Sequence, residues 1–172
     1  MDSMIRWLEK GTKSIGWLSA WFVLPLVLSL CYEVFARYVI GRPTSWSYEV
    51  SYMLMAAIFL LGAAYTLAEG GHIRIDFLYL KFSPRRQAIV DLIGYFIVFL
   101  PVIFIIAYSS AKQALYSYQT SEVSDISPWR PLMWPFRVSI ALGFILLSIQ
   151  GVAETMKKLI KLFDQKDGEK NG

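Results

Sequence analysis

The sequence predicts an all-α integral membrane protein with four transmembrane helices and short amphipathic helices at the bilayer surface. Three observations carry this. The 172 residues are 56% hydrophobic and 17% charged, where a soluble domain is nearer one quarter charged. Three uncharged runs, Ser14–Tyr32, Val50–Ala68 and Leu92–Ala111, are 19, 19 and 20 residues long, close to the roughly 20 that cross a hydrocarbon core; a fourth apolar run follows Pro135. The lysines and arginines lie between and beyond these runs, which excludes a nucleic-acid binder despite a net charge of +4. A single cysteine, Cys31, and a single histidine, His72, exclude an internal disulfide, a cysteine-rich metal site and a bis-histidine haem. No cofactor or metal is expected.

Residues 1–13 form the first element. Met4, Ile5, Leu8, Thr12 and Ile15 fall on one side at helical spacing, and Arg6, Glu9, Lys10 and Lys13 on the other. This is either an interfacial helix or a flank that is basic only to set topology. The membrane domain spans residues 14–153. Its first helix, about 15–40, has an uncharged core longer than a signal-peptide h-region, with no small-residue cleavage site behind it. It is expected to bend at Pro25. Gly41-Arg42-Pro43-Thr44-Ser45 is a tight connection, with Ser45 placed to cap the second span, about 46–68. Gly62, Ala63 and Ala64 offer a small-residue patch for close helix approach.

After Glu69-Gly70-Gly71 the run HIRIDFLYLKFSPRRQ is too short to span. A short interfacial helix over Asp76–Phe82 is expected there, because an isolated strand at a membrane surface leaves its backbone unpaired. The third span, about 88–112, should bend at Pro101. Lys112–Pro135 reads as an ordered aqueous or interfacial loop. The fourth span is about 131–153, with Arg137 one turn inside and free to snorkel. Residues 154–172 form a lysine-rich tail that is disordered at its end.

Charge sets the orientation. With the N-terminus inside, 12 of the 17 lysines and arginines face the cytoplasm; Arg37, Arg42, Lys112, Arg130 and Arg137 face out. Both termini are therefore expected in the cytoplasm, with Trp17 at the inner interface and Trp46, Trp129 and Trp134 at the outer one.

Three ionisable groups, Glu33, Arg37 and Glu49, sit where the flanking sequence wants lipid, and charges at that depth mark function. Glu33 precedes Arg37 by four residues, the favourable order for an intrahelical pair, and lies about 10 Å inward of the helix end at 1.5 Å per residue. Glu49 opens the next helix on the same side, so the three are expected to gather at one outer corner. Two readings stand side by side: an internal ion pair locking two helices, or a contact with a second protein. A proton or ion path needs polar groups continuing inward, and none forms a relay. No nucleophile stands beside a base, so an enzyme is not expected.

The run Glu33-Val34-Phe35-Ala36-Arg37-Tyr38-Val39-Ile40-Gly41-Arg42-Pro43, then Trp46-Ser47-Tyr48-Glu49, Gly71-His72-Ile73-Arg74-Ile75-Asp76 and Trp134-Pro135-Phe136-Arg137, resembles the small membrane (Q, DctQ-like) subunit of tripartite ATP-independent periplasmic (TRAP) transporters. The likeness covers nearly the whole chain. It implies a small permease subunit in a bacterial inner membrane that braces the scaffold of a large elevator subunit. It also implies help in docking a periplasmic substrate-binding protein during sodium-coupled uptake of an organic acid anion. Membrane lipids are the remaining expected partners. On this basis Glu33, Arg37, Trp46 and Glu49 are candidates for large-subunit contact. His72, Arg74 and Asp76 form a cytoplasmic interfacial elbow, where His72 is either a partner contact or a plain helix end. Arg42, Ser45, Glu122, Asp125 and Trp129 are candidates for periplasmic docking. The rival reading is an autonomous small membrane transporter acting as a homodimer, with Glu33 as a proton-coupled binding group.

Overall fold

The computed structural model describes the backbone of residues 2–69 and 92–170 and the side chains of residues 10–69 and 92–160. The expected elbow at His72, Arg74 and Asp76 lies outside the described residues. Those described are helical apart from connections and one isolated antiparallel bridge, Val123 to Leu132. Four stretches, Lys10–Tyr38, Ser47–Ala68, Gly94–Gln119 and Trp134–Ile160, are long and apolar enough to cross a membrane.

Helix α1 runs from Asp2 to Ala20 without a break at Lys13, and α2 from Val23 to Tyr38. The interruption falls at Trp21-Phe22, one turn before Pro25. Pro25 has no N–H to give the Trp21 carbonyl and crowds it. That carbonyl accepts instead from Leu24, at 3.2 Å, and the Trp21 and Phe22 amides bond three residues back, to Leu18 and Ser19. The proline effect that the sequence announces is thus realised as a tight turn upstream of the ring rather than a bend within one helix.

Helix α1 packs against the lower half of α3, Ser47–Ala68, and α2 against its upper half. The buried stripe of α1 is Thr12, Gly16 and Ser19, while Ile15 is exposed. Of the expected apolar face, Thr12 is thus buried and Ile15 is not. Small side chains face protein because they let the helices close up, and apolar ones face outward, where lipid costs them nothing. A Cβ at Gly16 would collide with the Tyr65 side chain.

The third membrane helix begins with a π-helical segment, Gly94–Phe99, in which Leu100 donates to the Tyr95 carbonyl. It continues as α4, Leu100–Gln119, with Pro101 in its first turn. Pro101 cannot serve the carbonyl four residues back, and the wide turn absorbs that mismatch. Together the two cover 26 residues, about 39 Å at 1.5 Å per residue, longer than a hydrocarbon core of about 30 Å. The last turns, with Gln113, Tyr116 and Tyr118, are therefore helix rather than the loop expected from Lys112. Ala114 and Ser117 are buried there, while Gln113, Tyr116 and Tyr118 project outward.

Helix α5, Trp134–Lys170, packs on α1, α3 and α4 and is the most enclosed. Of its most apolar stretch 39% is buried within the chain, against 11–22% for the other three. It does not stop near Ala153 but continues as helix through the expected tail, with Lys157 bridging back to Glu154 at 2.7 Å. Close approach again sets the packing. A Cβ on Gly143 would lie 2.7 Å from Leu60 Cβ and 3.2 Å from its carbonyl carbon, and one on Gly151 would lie 2.5 Å from the Phe99 ring. Between these crossings Ala64, Leu67, Ile103 and Leu147 form the core. Of the small-residue patch on α3, Ala64 is fully buried, but no atom stands within 4 Å of where a Gly62 side chain would sit.

Candidate functional site

The end of the bundle expected to face outward, here named the outer edge, carries two connections, residues 39–46 between α2 and α3 and residues 120–133 between α4 and α5. The first begins where α2 ends. Gly41, at φ +71°, takes the left-handed conformation that stops a helix, and the Arg42 amide returns to the Ala36 carbonyl at 3.0 Å. The chain thereby folds back over Glu33. One carboxylate oxygen of Glu33 accepts both Arg37 Nε, at 3.0 Å, and Nη2, at 2.5 Å. The other accepts the Thr44 amide, at 2.8 Å, and the Thr44 hydroxyl. Glu33 is thus a clasp, with its charge balanced by Arg37 and its remaining lone pairs spent on the turn.

Ser45 does not cap α3. The cap residue is Trp46, without a side-chain cap bond, and Trp46 stacks on Tyr32 of α2 with ring centroids 5.8 Å apart. The hydroxyl that ties the helices belongs to Ser47, which reaches the Ser29 carbonyl at 3.0 Å and the Ser29 hydroxyl at 3.1 Å. Two buried serines across a helix pair satisfy each other where no water is available. No charge or spacing in the sequence singled them out.

The expected three-charge corner therefore divides. Glu33 and Arg37 pair, and Glu49 stands apart. It lies two residues beyond Ser47, near the opposite side of the helix, and is fully buried with neither oxygen partnered. Of the four candidates for contact with a larger subunit, Arg37 is open to the surroundings and Trp46 is half-buried. Glu33 is largely enclosed and Glu49 is closed off.

The second connection is a pinned hairpin. Ser121 and Arg130 adopt left-handed backbone at φ 50° and 48°. The Met133 amide donates to the Glu122 carbonyl at 2.8 Å, and the Ser124 amide to the Pro131 carbonyl at 2.9 Å. Arg137 does not snorkel freely. Its guanidinium grips Glu122 through both oxygens, with Nε to Oε2 at 2.9 Å. That guanidinium holds the Glu122 carboxyl below the usual carboxylate range. Of the docking candidates, Glu122 is thus an internal fastener. Asp125, Trp129, Arg42 and Ser45 stand exposed, Asp125 in a surface pair with Arg130 at 3.0 Å. The rim is aromatic as well, with Trp134 edge-on to Tyr118 at 5.8 Å.

Among the described residues no group of three or more histidine, cysteine, aspartate or glutamate side chains converges as a metal site. Each acid at the outer edge except Glu49 is consumed by a neighbour in the same chain. The arrangement can hold two connections rigidly and present exposed side chains at that end of the bundle.

No curated protein matches the chain. A family model does, that of the tripartite ATP-independent periplasmic transporters, DctQ component, and it matches residues 26–161. That match covers the clasp at Glu33, the serine pair, the hairpin and most of α5. With its four apolar helices this is a multi-pass membrane protein, and it belongs to the DctQ family, the small membrane component of TRAP transporters.

Proposed function

We propose that this chain is the stationary small permease subunit of a TRAP system. It braces the scaffold of the large elevator subunit in a bacterial inner membrane, and it lends outer surface to the docking of a periplasmic substrate-binding protein. The cargo is an organic acid anion taken up with sodium. The observation that carries this reading is the self-satisfied outer edge: Glu33 with Arg37 and Thr44, and Glu122 with Arg137. Carboxylates spent on fastening turns are unavailable to carry a proton or bind a solute, which counts against the homodimeric transporter built on Glu33. An elevator needs a part that does not move, and bonds of this kind hold loops still.

Extensive apolar surface supports contact with another membrane subunit. Val34, Phe35 and Tyr38 on α2 and Val39 just beyond it are each more than half exposed, as are Ile105 and Tyr108 on α4. Arg37 and Trp46 are the outer-edge groups placed to meet that subunit, and Arg42, Ser45, Asp125 and Trp129 those placed to meet the binding protein. The test is reconstitution in liposomes. The large subunit with its binding protein should lose sodium-driven uptake when this chain is omitted and regain it when the chain is restored. Uptake by this chain alone would overturn the reading.

A further inference from the structure

At the opposite end of the bundle a cleft of about 530 Å³ opens between α1 and α3. Its end farther from the outer edge carries Lys10, Lys13 and the Ser14 hydroxyl, and its end nearer the membrane interior Trp17, Leu18 and Tyr65. Lys13 bridges to Glu69 of α3 at 2.7 Å. Lys10 is exposed and makes no such pair among the described residues, which leaves the cleft one positive charge not balanced by them. Trp17 and Leu18 are 63% and 60% exposed. From Lys10 to Leu18 the helix rises about 12 Å at 1.5 Å per residue. The cleft therefore changes from cationic to apolar over the depth at which a bilayer changes from headgroup to acyl chain. Gly16 shapes its floor, because only a residue without a side chain lets α1 rest on Tyr65.

A molecule that fills such a cleft needs an anionic head and an apolar body, in that order along the membrane normal. We propose that the cleft is a binding site for an anionic phospholipid of the cytoplasmic leaflet, with its phosphodiester between Lys10 and Lys13 and its acyl chains along Trp17 and Leu18. Basic clefts at the cytoplasmic ends of membrane helices suit such headgroups. A second groove, about 240 Å³ and lined by Ser109, Ser110, Gln113 and Arg137, offers a poorer match. Its guanidinium is already engaged by Glu122.

The site requires only that α1 enters from the cytoplasmic face, and it stands or falls independently of the bracing role. The test uses the assembled transporter in phosphatidylcholine bilayers doped with a photoreactive phosphatidylglycerol. Adducts are mapped by mass spectrometry to peptides of this chain. Labelling is expected at Trp17, Leu18 and Tyr65. Lys10→Gln should lower it about fivefold, and Lys10→Gln with Lys13→Gln about 25-fold, at about fivefold per lysine. Glu69→Gln removes the carboxylate that competes for Lys13 and should raise it. Lys158→Gln, outside the cleft, should leave it unchanged, and soluble glycerophosphoglycerol should not compete. Equal labelling by a photoreactive phosphatidylcholine would overturn the assignment, as would an equal loss in Lys158→Gln. Displacement by the soluble headgroup would make the ligand a free phosphate ester instead. Absence of adducts in the assembled complex would mean that protein covers the cleft, and would likewise overturn it.

Discussion

At the outer edge Glu33 receives Arg37 and Thr44, and Glu122 receives Arg137. In the membrane interior the helices meet where Gly16 lies on Tyr65, Gly143 on Leu60 and Gly151 on Phe99. The edge is joined by directional, charge-assisted bonds, and the interior by backbones brought close enough for dispersion to act. The division follows from solvent. At the interface, water competes for each polar group, so only well-aligned, multiply bonded pairs fix a loop. In the apolar layer no hydrophobic force drives helix to helix, so fit alone decides. Glu49 obeys neither rule. It is a carboxylate at the edge, yet buried without a partner.

The interior should be the more fragile of the two. Gly143→Val places atoms against the Leu60 backbone, with an expected cost of about 3 kcal/mol from overpacking. Thermal melting of the purified complex and the amount of chain retained in membranes should both fall sharply. If Gly143→Val is tolerated, the α3–α5 crossing is not set by close approach. Arg137→Met, which keeps the packing stem but frees Glu122, is expected to cost about 1 kcal/mol, the scale of a partly exposed pair. Its clearer signature is faster proteolysis within residues 120–133.

The same pair carries a pH dependence. Because the Arg137 guanidinium holds the Glu122 carboxyl below the ordinary carboxylate range, its contribution is fully present above that range. It is lost as pH falls through that range to the lowered folded value. Protection of the 120–133 hairpin in hydrogen exchange should decline over that window, and Glu122→Gln should remove the pH-dependent part. Glu33→Gln is expected to loosen residues 41–45 with little change in global melting. The smallest effect is expected for Glu49→Gln, which removes a buried charge without breaking any bond. A melting temperature equal to or above the parent value would fit the unpartnered carboxylate seen here. A large loss would mean that Glu49 has a partner in the assembled complex.

The Glu33–Arg37 pair was legible because helical spacing brings i and i+4 together whatever lies around them. The Glu122–Arg137 pair was not, since its members are 15 residues apart and meet only because the hairpin turns where Ser121 and Arg130 adopt left-handed backbone. The pairing of Ser29 with Ser47 is not legible for a related reason. Serines carry no charge to draw attention, and their pairing depends on the rotation of α2 against α3. Pro25 and Pro101 marked irregular places correctly, but the form of each irregularity, a tight turn at 21–22 and a π-helical segment at 94–99, reflects how the neighbouring carbonyls found other donors.

By itself the sequence determined that this is an all-helical membrane chain, that four stretches among the described residues are long and apolar enough to cross, and which family it belongs to. Hydrophobic run length and local motifs are properties of consecutive residues and survive any packing. Only the tertiary structure decided which acids are fasteners, which face of α1 is buried, and that Glu49 stands alone. Those outcomes depend on the relative rotation of helices, which non-local fit selects and no short stretch of chain encodes.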